Sequence, residues 1–198
     1  HIARDASPLD GLPLDTLRGC AVRHRLAVAA GISERTPEGI YNALAFITPD
    51  GALAALYRKL HLFGSERGAF LPGSEVVNIA WGGFTWGLTV CYDLRFPELY
   101  RALALRGADA FIACAAWPRT RERHWQALAM ARAVENQAWL LGCDRAGADL
   151  NLAFAGASCA AGPEAQAVWA GADEALLTAD IFRRDVEQAR ALVPVFSD

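Results

Sequence analysis

Cys91 stands where an apolar run, Phe84-Thr-Trp-Gly-Leu-Thr-Val90, gives way to a helical pattern over 96–104, with Cys91-Tyr-Asp-Leu-Arg95 between them. A thiol at a strand-to-helix junction can meet unpaired N–H groups and the positive end of a helix dipole, which favour the thiolate and suit a nucleophile. Two other segments hold candidate chemistry. Lys59, in Tyr57-Arg-Lys-Leu-His-Leu-Phe63, ends a strand-like stretch and is followed by apolar residues that can enclose its ammonium. Glu66 lies in a glycine-flanked loop, Gly64-Ser-Glu-Arg-Gly68, ahead of Leu71-Pro-Gly73. Taken singly, each has an ordinary alternative: an inert core cysteine, a solvated lysine, a surface carboxylate.

Alternating strands and helices must position these residues. Helical spacing over 12–23 makes Leu14, Leu17 and Val22 an apolar side, and a short apolar strand over 26–30 ends at Gly31. Stretches 42–47 and 53–58 flank Thr48-Pro-Asp-Gly51, and 76–80 and 84–90 flank Trp81-Gly-Gly83; both read as hairpins. A helix from about Pro97 and a strand over 110–114 follow. The longest helical segment, 121–137, has Trp125, Leu128, Ala129, Ala131 and Val134 on its apolar side and runs into a strand over 138–142. Short strands near 158–161, 167–170 and 176–180 and a helix from near Phe182, ending before Pro194, complete the pattern. Hairpins mixed with βα units indicate a layered α/β (α+β) domain spanning 1–198, without repeats or linkers.

Composition narrows the function. Of 198 residues, 54% are hydrophobic and 21% charged, as in a globular domain with a substantial core. A net charge of −3 argues against a dedicated nucleic-acid binder. No apolar run approaches membrane-spanning length, and no apolar stretch of a signal peptide follows His1-Ile-Ala-Arg-Asp5. Five cysteines without close pairing point to a reducing, cytoplasmic setting. Neither CxxC nor HxxxH spacing occurs and the four histidines are scattered, so no metal or cofactor is expected.

Together the three chemical segments resemble the carbon–nitrogen hydrolase (nitrilase) superfamily. Tyr57-Arg-Lys-Leu-His-Leu-Phe63, Glu66 and Pro72-Gly-Ser-Glu75 resemble its lysine segment. Gly87-Leu-Thr-Val-Cys-Tyr-Asp-Leu-Arg-Phe-Pro-Glu98 resembles its nucleophile segment. Trp117-Pro118, His124-Trp-Gln-Ala-Leu128 and Ala131-Arg-Ala-Val-Glu-Asn-Gln137 resemble the loop and helix that follow. The resemblance implies a four-layer α-β-β-α sandwich and a Glu-Lys-Cys catalytic set: Cys91 as nucleophile, Lys59 as the cation beside it, Glu66 as a second glutamate orienting the lysine and substrate. It also implies an oxyanion donor at the Tyr92 N–H and amide hydrolysis through a cysteine thioester, with ammonia released. The helices after Cys91 and over 121–137 correspond to the family's common dimer surface, so a homodimer is expected.

The family's first strand, first helix and second strand have no counterpart here, and with them the primary catalytic glutamate. Phe96-Pro97-Glu98 copies its letters but follows the nucleophile, and Glu34 reads as structural. The expectation is that the natural protein carries several tens more residues upstream, including a glutamate beside Cys91. Ala116-Trp117-Pro118 with His124-Trp125-Gln126 most resembles bacterial ω-amidase-like members, which act on short α-keto dicarboxylic acid monoamides. Arg119, Arg121 or Arg123 could anchor the free carboxylate, with Trp117 and Arg119 as substrate-binding residues; a basic surface loop is the alternative. An amidase for deaminated glutathione or an N-carbamoyl amine, and a non-catalytic binding or assembly protein, remain the competing functions. Asp144, in Gly142-Cys-Asp-Arg145, stands where related sequences often carry Asn.

Overall fold

Helix α1 (Leu12–His24) opens the architecture, with a proline in its first turn and Arg25 closing it in a left-handed conformation. Strands β1 (Val28–Arg35), β2 (Ile40–Ile47) and β3 (Leu53–Arg58) form an antiparallel sheet in the order β1-β2-β3. Strand β1 runs on through Gly31 instead of ending there, and pairs with β2 from Val28↔Ile47 to Arg35↔Ile40. A side chain built at Gly31 would only touch Cys114 of the other sheet, so this glycine marks close sheet packing and not a turn.

β2 shows why 43–47 reads as an unbroken apolar run. Leu44 and Phe46 face the main core, while Ala45 and Ile47 face α1 through Leu14 and Ala21. A strand covered on both sides has no polar face to alternate.

The second sheet has six strands in the order β11-β10-β7-β6-β5-β4: β4 (Asn78–Trp81), β5 (Phe84–Val90), β6 (Ala110–Ala115), β7 (Trp139–Asp144), β10 (Cys159–Ala161) and β11 (Ala167–Trp169). Its centre, β5-β6-β7, is parallel, and the flanking pairings are antiparallel. A small hairpin, β8 (Ala148–Asp149) and β9 (Leu152–Ala153), lies between β7 and β10 in sequence. The crossovers are α2 (Pro97–Leu105) and α3 (Glu122–Glu135), and α4 (Arg183–Leu192) follows the last strand. Leu44, Phe46 and Tyr57 of the first sheet share one core with Leu88, Phe111 and Leu140 of the second and with Leu99, Leu103 and Trp125 of α2 and α3. The layers therefore run α-β-β-α.

The computed structural model describes residues 5–149 and 152–197, so the expectation placed on the opening residues falls, for 1–4, outside them. Two sequence expectations are corrected. The strand expected over 176–180 is irregular chain, because Leu176 is 91% exposed and has no neighbouring strand among the described residues. Helix α3 buries Trp125, Ala129, Arg132 and Ala133, whereas Val134 faces outward. Glycine is required at Gly142: a Cβ there would stand 2.6 Å from the Trp125 ring, so its absence lets α3 seat on β7.

Candidate active site

The three parallel strands end side by side, at the edge of the sheet where α/β folds place ligands. Cys91 follows β5, Ala116 and Trp117 follow β6, and Asp144 ends β7. Cys91 has a φ of 50°, in the left-handed region that a non-glycine residue occupies only when its surroundings hold it there. It begins a 3-10 turn, Cys91–Arg95.

Asp93 does much of the holding. Its fully buried carboxylate accepts the Tyr57 hydroxyl at 2.8 Å and the Val90 N–H at 3.0 Å through Oδ2. Oδ1 accepts the His61 N–H at 3.1 Å and lies 2.8 Å from His61 Nδ1. One carboxylate thus ties the end of β5 to the lysine segment. Burial first, and the Asp93 charge second, push the Tyr57 phenol far up, so it stays a donor. The His61 ring stacks on Phe96 with centroids 3.6 Å apart.

Lys59 follows β3 and is 1% exposed. Its Nζ donates to Glu66 Oε2 at 2.7 Å and Oε1 at 2.9 Å. Glu66 also accepts Asn42 Nδ2 at 2.7 Å and the Phe63 N–H at 2.6 Å, so its loop is folded around the ammonium. The Gly73 N–H donates to the Lys59 carbonyl at 2.8 Å, and a Cβ at Gly73 would collide with the Arg58 carbonyl oxygen, so only glycine permits this approach. The structure brings Cys91, Lys59 and Glu66 together: both charges act on the thiol, Lys59 favouring its ionisation and Glu66 opposing it.

The expected thiolate is corrected. Burial is the largest influence on Cys91 and raises its thiol above the ordinary value, outweighing Lys59 and the Ala116 N–H. Only the short 3-10 turn starts at Cys91, whereas α2 begins at Pro97, so the thiol is not carried on the first turn of the long helix. Cys114 and Cys159 are pushed up to about 12, also chiefly by burial.

The remaining expected residues are placed less uniformly. Tyr92 is the second residue of the 3-10 turn, where N–H groups have no partner within the turn, and its ring meets Phe63 and Phe96 edge-on. Trp117 is buried: its Nε1–H donates to the Arg121 carbonyl at 2.8 Å, its ring contacts Trp125, and the Arg95 guanidinium lies 5.0 Å from the ring centroid. Its backbone, rather than an open ring face, borders the site. Arg119 is exposed at the start of the 3-10 turn Arg119–Arg121 and forms no ion pair among the described residues. Glu34, buried on β1, makes a two-pronged pair with Arg58 of β3 at 2.7 Å for each bond. A hollow of about 380 Å³ lies nearby, lined by Arg145, Ala146, Gly147, Asp173 and Glu174, but it includes neither the thiol nor the lysine. No cluster of three metal-ligating side chains occurs among the described residues.

Sequence reasoning passed over Asn42 and Asp93. Each had a signal: a lone amide in a buried apolar strand must find a partner, and an aspartate three residues beyond Val90 matches the reach-back of a capping box.

The carbon-nitrogen hydrolase family profile matches residues 1–191. The chain is 36% identical over 193 residues to an (R)-stereoselective amidase of a Pseudomonas species, covering 96% of this chain and 69% of the relative. It is 32% identical over 186 residues to a 2-oxoglutaramate amidase of Bacillus subtilis, covering 92% and 72%. A CN-hydrolase superfamily protein of Xanthomonas campestris, solved with an arsenic adduct in its active site, superposes with a TM-score of 0.92 at 33% identity, over 99% of this chain and 77% of that one. The profile, the relatives and the superposition all rest on nearly the whole described chain, and by them it belongs to the carbon–nitrogen hydrolase family.

Proposed function

We propose that this chain carries the machinery for hydrolysing the terminal amide of a small carboxylate-bearing molecule, in the manner of an ω-amidase. The observation that carries the reading is the pair of buried Lys59 and half-buried Glu66 beside a thiol held in a strained turn at the strand ends. Cys91 Sγ attacks the amide carbon, and the oxyanion is met by the Lys59 ammonium and the Tyr92 N–H. The C–N bond breaks, ammonia leaves with the proton taken from the thiol, and water cleaves the thioester to regenerate Cys91. Glu66 holds and aims Lys59. Its four short contacts commit it to that task, so the proton carrier is a separate base, expected to be the primary glutamate of the family pattern.

The substrate class follows from two supports. A relative is named 2-oxoglutaramate amidase, whose substrate is a terminal amide with free carboxylate, and Arg119 is an exposed cation without an ion pair among the described residues beside the strap that follows β6. Two parallel N–H···O bonds from Arg119 would hold that carboxylate. We further read the chain as a cytoplasmic homodimer. Its five thiols are free, and Leu105 of α2 and Val134 of α3 are exposed on the helices expected to meet a second copy. No helix among the described residues is long and apolar enough to cross a membrane.

The test is ammonia release from 2-oxoglutaramate by the protein, against Cys91→Ser and Lys59→Met. Activity equal to the Cys91→Ser background would sink the reading, and binding without turnover would favour a non-catalytic role. Arg119→Ala should raise KM for 2-oxoglutaramate with little change in kcat; an unchanged KM removes Arg119 as anchor. Light scattering at micromolar concentration should give twice the monomer mass, and a monomer would contradict the dimer.

A further inference from the structure

Asp144 is a buried carboxyl with one oxygen engaged and one idle. Oδ1 accepts the Trp117 N–H at 2.7 Å, while Oδ2 is buried without a hydrogen-bond partner. Every element packed around it leaves it so. The N–H groups of Arg145 and Gly156 lie close enough to favour its charge, but donate to the carbonyls of Ala115 at 2.9 Å and Arg145 at 3.1 Å. The Arg145 guanidinium turns away, 3.7 Å from Asp149 and over the Phe154 ring. Ser158 Oγ accepts the Asp144 backbone N–H and leaves the carboxyl alone. Glu122 of α3 contributes a like charge, and the thiols of Cys91, Cys143 and Cys159 sense the Asp144 charge. Burial is the largest influence and pushes the carboxyl up to about 6. An ionised carboxylate with an idle buried oxygen is costly, and taking up a proton relieves the cost.

Two connections reach the nucleophile. The ladder pairs Val90 with Cys114 and Cys114 with Cys143, and Ala115 with Asp144, so the Asp144 backbone stands two strands from β5, roughly 10 Å at ordinary strand spacing. The strap after β6 makes the second link: Asp144 pins Trp117, and the N–H of the adjoining Ala116 favours the Cys91 thiolate.

We propose that Asp144 is a positioning residue whose protonation state sets how readily Cys91 gives up its proton, through the Trp117 strap and across the strand ends. With Asp144 protonated, Lys59 faces one fewer opposing charge at the thiol. With Asp144 ionised, Cys91 holds its proton more tightly. The proposal rests on Cys91 as the reactive thiol, but alkylation reads that thiol directly, so a failure to hydrolyse amides would leave the test intact.

The experiment compares the full chain with Asp144→Asn, measuring iodoacetamide modification of Cys91 by peptide mass from about pH 5 to 9. The amide keeps an oxygen for the Trp117 N–H and removes the charge. The rate ratio of variant to parent should be about one at the acid end and climb to roughly threefold to tenfold above neutrality, with its midpoint near the Asp144 ionisation. A ratio independent of pH overturns the proposal, because a merely structural role has no midpoint. Should the variant not fold, carboxyl ¹³C NMR of the parent labelled at aspartate decides: a buried carboxyl titrating between about pH 5 and 7, in step with a flattening of the Cys91 rate profile, sustains it. The absence of any such carboxyl overturns it.

Discussion

Glu66→Gln tests the lysine clamp with one atom. Three donors converge on the two carboxylate oxygens: Asn42 Nδ2 and Lys59 Nζ on Oε1, Lys59 Nζ and the Phe63 N–H on Oε2. Glutamine keeps one acceptor and puts an NH2 where the other stood, so whichever way the amide turns, a donor faces a donor. Leaving a buried group unpaired costs about 1–3 kcal/mol. The ammonium, 1% exposed, also loses its counter-charge, a break that costs about 3–5 kcal/mol when the pair is fully enclosed. Glu66 is 17% exposed along its side chain, and solvent screens part of that loss. A net destabilisation of about 2–4 kcal/mol follows, with Glu66→Ala worse because it leaves every donor unpaired. Urea unfolding followed by circular dichroism measures it, and the order of midpoints should be parent, Gln, Ala. Where amide hydrolysis is measured, the misplaced lysine should lower kcat by about 10²–10³. A Glu66→Gln midpoint equal to the parent's would mean that the clamp is solvated and the buried-pair reasoning is wrong.

Asp93→Asn should cost about 2–4 kcal/mol in urea unfolding, since an NH2 would replace one of two oxygens that serve three donors and face His61 Nδ1; a loss under about 1 kcal/mol would show that the turn is held by other contacts. Because burial raises the Cys91 thiol, its alkylation rate in the unliganded chain should still be climbing at about pH 9; a plateau below about pH 8 would contradict this. The folded Asp144 carboxyl stands above its ordinary value, so its contribution to stability is fully present below about pH 4 and lost as the pH rises through about 6. Asp144→Asn should therefore gain on the parent by on the order of 1–2 kcal/mol at about pH 7.5 and much less at about pH 4; equal gains at both would refute the linkage.

Much of this was legible because it is local. The apolar runs of β5 and β6 and the turn at 48–51 carry their own signals, and the ordered segments around Lys59, Glu66 and Cys91 carry the family resemblance. What could not be read is what depends on distant partners. Gly31 looks like a strand end until the opposite sheet is seen 3.7 Å from where its Cβ would lie. The thiol looks activated until its enclosure is counted, because burial is a property of the packed layers and not of the junction. Trp117 looks like a ligand platform until Arg95 and Trp125 are found against its ring.

The same distinction accounts for how the site is built. Its charged and thiol groups come from loops after β3, β5 and β6 and the end of β7, segments that share no sequence neighbourhood. Each junction is bridged by a carboxylate accepting backbone N–H groups: Glu66 joins the Phe63 N–H to Lys59 and Asn42, Asp93 joins the Val90 and His61 N–H groups, and Asp144 joins β7 to the Trp117 N–H. Charge-assisted bonds of this kind are about twice as strong as neutral ones and fix geometry, which a left-handed cysteine requires. Of the three carboxylates, Glu66 and Asp93 are bonded at both oxygens, and Asp144 alone has a buried oxygen without a partner. Rigidity therefore resides in the first two. The third is the one whose charge can change without dismantling the site, because a proton on Oδ2 leaves the Oδ1 bond to Trp117 in place.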